Sequence, residues 1–255
     1  MSRRLLEKNF CVIPWTGFEL EPNGNIKNCI ISKSAIGNIH KQHISDIVRN
    51  NPTRKLMLEG QYPTSCEGCY LQEKHRANNF ESISSRLYYA KELANKIPKD
   101  LLDKDNFSLK HVDLRWSNKC NQACTYCGPE YSSKWATERG IKISNDKERI
   151  ERLKEYVYSN IQNLENVYLA GGEPLLMKQN KDFLDRLHVA NPNCTIGVSG
   201  QHSEEAEALA HDVVEPVGTM PTQPRHEVPS VLQLLQANRR AAGTLKVIEA
   251  ASAAP

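Results

Sequence analysis

The chain has 255 residues, 39% of them hydrophobic and 25% charged, proportions of a folded globular protein with one large domain or two modest ones, and they exclude a wholly disordered chain. Its formal net charge is only +3, too small to point to a polyanionic partner, so nucleic acid is not expected. No run approaches the ~18 apolar residues of a membrane span, and MSRRLLEKNFCVIPW has neither an apolar core nor a small-residue cleavage site; the expectation is an unprocessed, cytoplasmic protein without a membrane partner.

Near the amino terminus, FELEPNGNIKNCI sets Asn23-Gly24 between two β-compatible runs, which predicts a two-stranded hairpin. Ser45 is placed to cap a helix running through IVRNNPTRKLMLEG and interrupted near Pro52. Beyond CEGC a polar helical pattern continues through LYYAKELANKI toward Pro98, and EKHRANNFESISSR reads as a solvated helix face. Residues 1–107 thus read as a small α+β region.

From residue 108 the text changes to strand, loop and helix in alternation. LKHVDLRW is a strand, NDKERIERLKEYVYSNIQNL an amphipathic helix, NVYLA a strand, KDFLDRLHVA a helix and CTIGV a third strand. Such alternation predicts parallel βα units, with reactive groups gathered beyond the carboxyl ends of the strands. After residue 200 the composition shifts to Ala, Pro and Glu. SEEAEALA and SVLQLLQANRRAA suit helices on either side of a Pro-rich linker. Residues 201–255 therefore form an atypical tail, mostly helical or irregular.

Eight cysteines are the most informative count, because a reducing compartment favours metal ligation over disulfides. Cys120, Cys124 and Cys127 lie in CNQACTYC, directly after a predicted strand. Three thiolates on one short loop suit three corners of a cubane cluster and leave the fourth iron open; zinc, or three unrelated buried thiols, are the plainer readings. Cys11, Cys29, Cys66 and Cys69 make a closed set of four, suited to one cluster or one structural zinc that staples a region with a small core. Cys194, alone on a strand, reads as a small buried apolar residue. The AGGEP segment allows close backbone approach at Gly171 and Gly172 before Pro174 fixes the exit.

CNQACTYC followed some forty residues later by a strand running into AGGEP resembles the radical S-adenosylmethionine (SAM) superfamily and its C-x3-C-x-aromatic-C motif. The resemblance implies that Cys120, Cys124 and Cys127 hold a [4Fe-4S] cluster whose free iron chelates SAM, and that Tyr126 lies against adenine. It implies too that Gly171, Gly172, Glu173 and Pro174 form the turn that receives the SAM amino group, with Glu173 supporting it. The C-x17-C segment from Cys11 to Cys29 with Gly24 between them, and the later Cys66-x2-Cys69 pair, resemble Twitch or SPASM-type domains that bind an auxiliary [4Fe-4S] cluster, although here they precede the triad. The implied architecture is α/β: a Twitch/SPASM-like domain at 1–107, a radical SAM core with a partial barrel at 108–200, and the tail at 201–255.

The implied activity is reductive cleavage of SAM to a 5′-deoxyadenosyl radical that abstracts hydrogen from a peptide, protein or small-molecule substrate. A low-potential electron donor of flavodoxin or ferredoxin type is the implied partner. The alternative is a truncated, catalytically incomplete chain that binds iron–sulfur clusters or zinc. Arg115 and Lys119 flank the cluster loop and suit either charge compensation or solvated strand ends. The histidines show no metal-ligand spacing, and Trp15, Trp116 and Trp135 read as core or site-wall residues.

Overall fold

The computed structural model describes residues 9–75, 84–93, 95–97, 106–143 and 147–199. The two tail helices and their Pro-rich linker lie outside the described residues. Two compact units contain the rest: one comprises the described residues up to Asp113 together with residues 147–165, the other Leu114–Ile143 with the described residues from Asn166 onward.

In the first unit, α1 (Ile13–Thr16) leads into β1 (Gly17–Leu20), which pairs antiparallel with β2 (Asn25–Lys27) in the register Glu19↔Lys27 and Leu20↔Ile26. The expected hairpin is present. Its turn closes through the Gly24 amide on the Glu21 carbonyl at 2.9 Å, and Gly24 takes φ +82°, a left-handed conformation that disfavours a β-carbon. β3 (Gly37–Asn38) pairs antiparallel with β2, and β4 (His111–Leu114), where the two units meet in sequence, neighbours β1.

The expected helix after residue 44 forms as two pieces, α2 (Ile44–Arg49) and α3 (Pro52–Leu58), separated where Pro52 occupies the first turn. Its cap differs from expectation: the His43 ring, rather than Ser45, accepts the first-turn amide, from Ser45. Asn51 caps α3 through the Thr53 amide. The cysteine pair falls where a 3-10 turn (Thr64–Cys66) gives way to α4 (Glu67–His75), and α5 (Ser85–Leu93) follows. α7 (Lys147–Ser159) buries Ile150, Leu153 and Val157, the one-sided spacing its sequence predicted. Phe10, Val12, Trp15, Met57 and Leu93 form a buried cluster, against which Cys11 and Cys66 pack.

The second unit contains a short helix, α6 (Ser133–Glu138), and a parallel pair, β5 (Asn166–Leu169) with β6 (Thr195–Val198), joined through α8 (Lys178–Ala190). Helical connection of parallel strands is what the alternating pattern predicted. α8 turns Phe183 and Leu187 inward, and Cys194 is buried just before β6. The Ala170 amide donates to the Leu114 carbonyl at 3.1 Å. The loops that follow Leu114 and Leu169, 115–127 and 170–174, therefore start as neighbours within this unit.

These elements make a mixed α/β protein with six strands among the described residues. The parallel β5–β6 pair fits part of a radical-SAM-type fold.

Candidate functional site

In the first unit, Cys11, Cys29, Cys66 and Cys69 all line one cavity with a volume of about 420 Å³ including its mouth. Two sets of contacts bring these distant thiols together. On one side, the Lys33 amide donates to the Ser65 carbonyl at 2.9 Å, and the Lys33 ammonium meets the Glu67 carboxylate at 2.6 Å. Gly68, between the two ligand-type cysteines, leaves space that Ile31 occupies; a β-carbon there would lie 2.6 Å from the Ile31 side chain. On the other side, the Tyr70 hydroxyl donates to the Asn9 carbonyl at 2.8 Å, while the Asn9 amide group donates to Met57 at 2.9 Å.

Burial raises all four of these thiols, with Cys29 pushed up to about 12 and Cys11 well above its usual value. Their mutual repulsion acts in the same direction as the lost water. Opposing it are amide donors: Ile13 to Cys11, Ile31 and Ser32 to Cys29, and Arg86 and Ser85 to Cys69. Thiols drawn this far out of water, with amide donors aimed at the sulfurs of Cys11, Cys29 and Cys69, are unfavourable as bare thiolates and well suited to a positively charged iron–sulfur core.

In the second unit, the triad loop is held by the start of α6. The Cys120 amide donates to the Ser133 hydroxyl at 3.0 Å, and that hydroxyl donates back to the Cys120 carbonyl at 2.9 Å. The Ser132 hydroxyl, which caps α6 through the Trp135 amide, donates to the Gln122 carbonyl at 2.7 Å. The indole of Trp135 donates to the Cys124 carbonyl at 2.9 Å, and the Cys127 amide closes a turn on the same carbonyl at 3.0 Å. Burial raises the Cys120 and Cys127 thiols; nearby thiols add to the effect, and Glu173 does so at Cys120.

The glycine turn lies directly on this loop. Gly171 takes φ +115°, and a β-carbon there would stand 2.9 Å from the Ser117 carbonyl oxygen. At Gly172 a β-carbon would overlap the Lys119 carbonyl, a neighbour on the main chain that cannot move without the loop. The Glu173 amide donates to that Lys119 carbonyl at 2.8 Å, and the Lys119 ammonium reaches the Leu176 carbonyl at 3.0 Å. Glu173 is buried and caps the short turn Pro174–Leu176. Tyr126, in contrast, is 73% exposed.

Three expectations are refined. Arg115 is buried, its guanidinium 5.6 Å from the centre of the Tyr131 ring, so it is no solvated strand end. Trp135 joins the site by its indole donor. Of the charged stretch 73–86, residues 76–83 lie outside the described residues, and Ser84 and Arg86 at its end are both buried. Ser85, Arg86, Tyr70 and Tyr89 around the first cavity, and Ser132, Ser133 and Trp135 around the triad, were not singled out as site residues from sequence. A serine preceding SKWATE is a helix-cap signal that could have found α6; nothing comparable marks Arg86.

No three histidine, cysteine or acidic side chains among the described residues converge tightly enough for one bare ion.

Comparison with known proteins agrees with this geometry. A family model described as an iron-sulfur cluster-binding domain (SPASM) matches residues 11–70. GTP 3',8-cyclase of Nautilia profundicola is 27% identical over 100 residues, covering 39% of this chain and 30% of that protein. Molybdenum cofactor biosynthesis protein 1 of Mus musculus is 31% identical over 121 residues, covering 47% of this chain and 18% of that protein. The chain thus spans less than a third of the length of these curated relatives. No solved structure matches. The model of the radical SAM superfamily matches residues 114–254, a segment that begins at the end of β4 and takes in both the triad loop and the glycine turn packed against it. Its cofactors are accordingly a [4Fe-4S] cluster and SAM, with an auxiliary iron–sulfur cluster in the SPASM segment, and the chain belongs to the radical SAM superfamily.

Proposed function

We propose that this chain is a radical SAM enzyme in which Cys120, Cys124 and Cys127 hold the SAM-binding [4Fe-4S] cluster and Cys11, Cys29, Cys66 and Cys69 hold the auxiliary one. When bound there, the cluster and SAM would supply one-electron reductive cleavage of the SAM C5′–S bond to methionine and a 5′-deoxyadenosyl radical, which would take a hydrogen atom from the substrate. The observation that carries this reading is main chain packed on main chain: Gly171 and Gly172 lie against residues 117–119, one residue before the first triad cysteine. The turn from Gly171 to Pro174 offers its backbone to the SAM amino group, with Glu173 buried behind it, and exposed Tyr126 covers the adenine. Trp135 and Ser133 hold the cluster loop so that its thiols need not reorganise when iron arrives.

The domain division at 1–107, 108–200 and 201–255, with a partial barrel in the middle segment, is part of this proposal. So are a cytoplasmic location, which suits thiol ligands kept reduced, and a low-potential one-electron donor of flavodoxin or ferredoxin type. Among the described residues no helix is long and apolar enough to cross a membrane. The substrate is an organic molecule with an abstractable hydrogen. A peptide finds no support in the names of the relatives, and the fraction of those relatives that this chain spans is too small to transfer their own substrates.

The test is anaerobic reconstitution with iron and sulfide, addition of SAM and dithionite, and chromatography for 5′-deoxyadenosine. Cleavage by the parent chain is expected. Cys124→Ala abolishes it, while Cys66→Ala spares it and lowers bound iron by about half, as loss of one of two four-iron centres requires. A chain that loads iron yet yields no 5′-deoxyadenosine supports the alternative of a cluster holder without catalysis.

A further inference from the structure

The cavity that gathers Cys11, Cys29, Cys66 and Cys69 is closed by the first turn of α5, which lies outside the segment 11–70 matched as a cluster-binding domain. Ser85, Arg86 and Tyr89 come from this helix, and Arg86 is the cationic side chain among the lining residues. It is 4% exposed. Its guanidinium makes a two-pronged pair with Glu73, one prong Nε to Oε1 at 2.9 Å and the other Nη2 to Oε2. Nη1 donates to the Phe10 carbonyl at 2.9 Å. Ser84 adds a hydroxyl bond to Glu73 at 2.5 Å.

Phe10 immediately precedes Cys11, and Glu73 lies one helical turn beyond Cys69 on α4. One side chain therefore ties together two segments that carry thiols, fifty-eight residues apart in sequence. The geometry points to Arg86 as a positioning residue of the auxiliary centre, one that clamps the Cys11 and Cys69 segments together and raises the reduction potential of the cluster they hold. This inference rests on the auxiliary-cluster reading given above.

The electrostatic argument is direct. An iron–sulfur centre with four thiolate ligands is anionic and becomes more so on taking up an electron, so a buried cation beside it favours the reduced form, and a buried carboxylate opposes it. Arg86 lines the cavity and Glu73 stands behind it. Charge removal at the two positions must then move the potential in opposite directions, a signature that loss of packing alone does not produce.

The experiment uses the full chain with Cys120, Cys124 and Cys127 all replaced by alanine, which isolates the auxiliary centre. Reconstituted anaerobically, this background is assayed for iron and sulfide and titrated with dithionite under EPR. Failure to bind an iron–sulfur cluster overturns the auxiliary-cluster reading itself, whatever Arg86 does. With the cluster present, Arg86→Met lowers the midpoint potential, Glu73→Gln raises it, and Arg86→Lys returns it toward the parent value. Unchanged potentials, or shifts of the same sign in Arg86→Met and Glu73→Gln, overturn the role of Arg86 while leaving the cluster assignment standing. Should Arg86→Met lose its iron, Glu73→Gln decides alone: a raised potential supports the inference and any other result defeats it.

Discussion

Gly172 has the least latitude of the described glycines, because what stands where its side chain would be is the carbonyl of Lys119. A methyl group there displaces the main chain that leads into Cys120. Gly172→Ala is therefore expected to lower SAM cleavage at least tenfold and to loosen iron at the triad, while iron at the four-cysteine set is kept; iron analysis beside the 5′-deoxyadenosine assay separates these effects. Gly171, at φ +115°, adds backbone strain of about 1–3 kcal/mol to any substitution. The need for both glycines was legible in GGEP, since close approach and positive φ are what glycine permits. Arg86 was not legible. Its partners, Glu73 and the Phe10 carbonyl, lie 13 and 76 residues away, and a charged residue in a polar helical stretch carries no mark of burial until the chain has closed around it.

At the scale of elements, the periodic helices and strands of the second half were readable because each carries its own pattern: α7 and α8 show one apolar face, and β5 and β6 are short runs bounded by turn residues. α6 was missed because six residues are too few to establish a period. Yet α6 anchors the triad loop by three side chains, Ser132, Ser133 and Trp135. Trp135→Phe keeps the ring and removes the donor to the Cys124 carbonyl, a loss of about 1 kcal/mol. The expected outcome is a roughly fivefold faster release of triad iron to a chelator, followed by the decay of visible absorbance, with the overall fold unchanged by circular dichroism. Equal release from the parent and the variant contradicts an anchoring role.

On the scale of the whole chain, the first unit has its hydrophobic cluster and its four thiols in the same place: Cys11 and Cys66 pack on Phe10, Val12, Trp15, Met57 and Leu93. Metal binding and folding are then coupled. Removing the auxiliary centre by Cys66→Ala is expected to lower Tm by on the order of 10 °C, at about 2–4 °C per kcal/mol for a chain of this size, and by more than Cys124→Ala does, because the triad cysteines sit on a loop held by hydrogen bonds instead. Differential scanning fluorimetry under nitrogen measures both. The four-cysteine pattern made such a staple foreseeable; that the staple also completes the core depended on contacts between segments far apart in sequence. A cell starved of iron would then not keep this protein in store as an idle catalyst awaiting its prosthetic group. It would meet a loosened chain exposed to proteases, so that nutrient supply sets how much of the protein exists before it sets how much of it works.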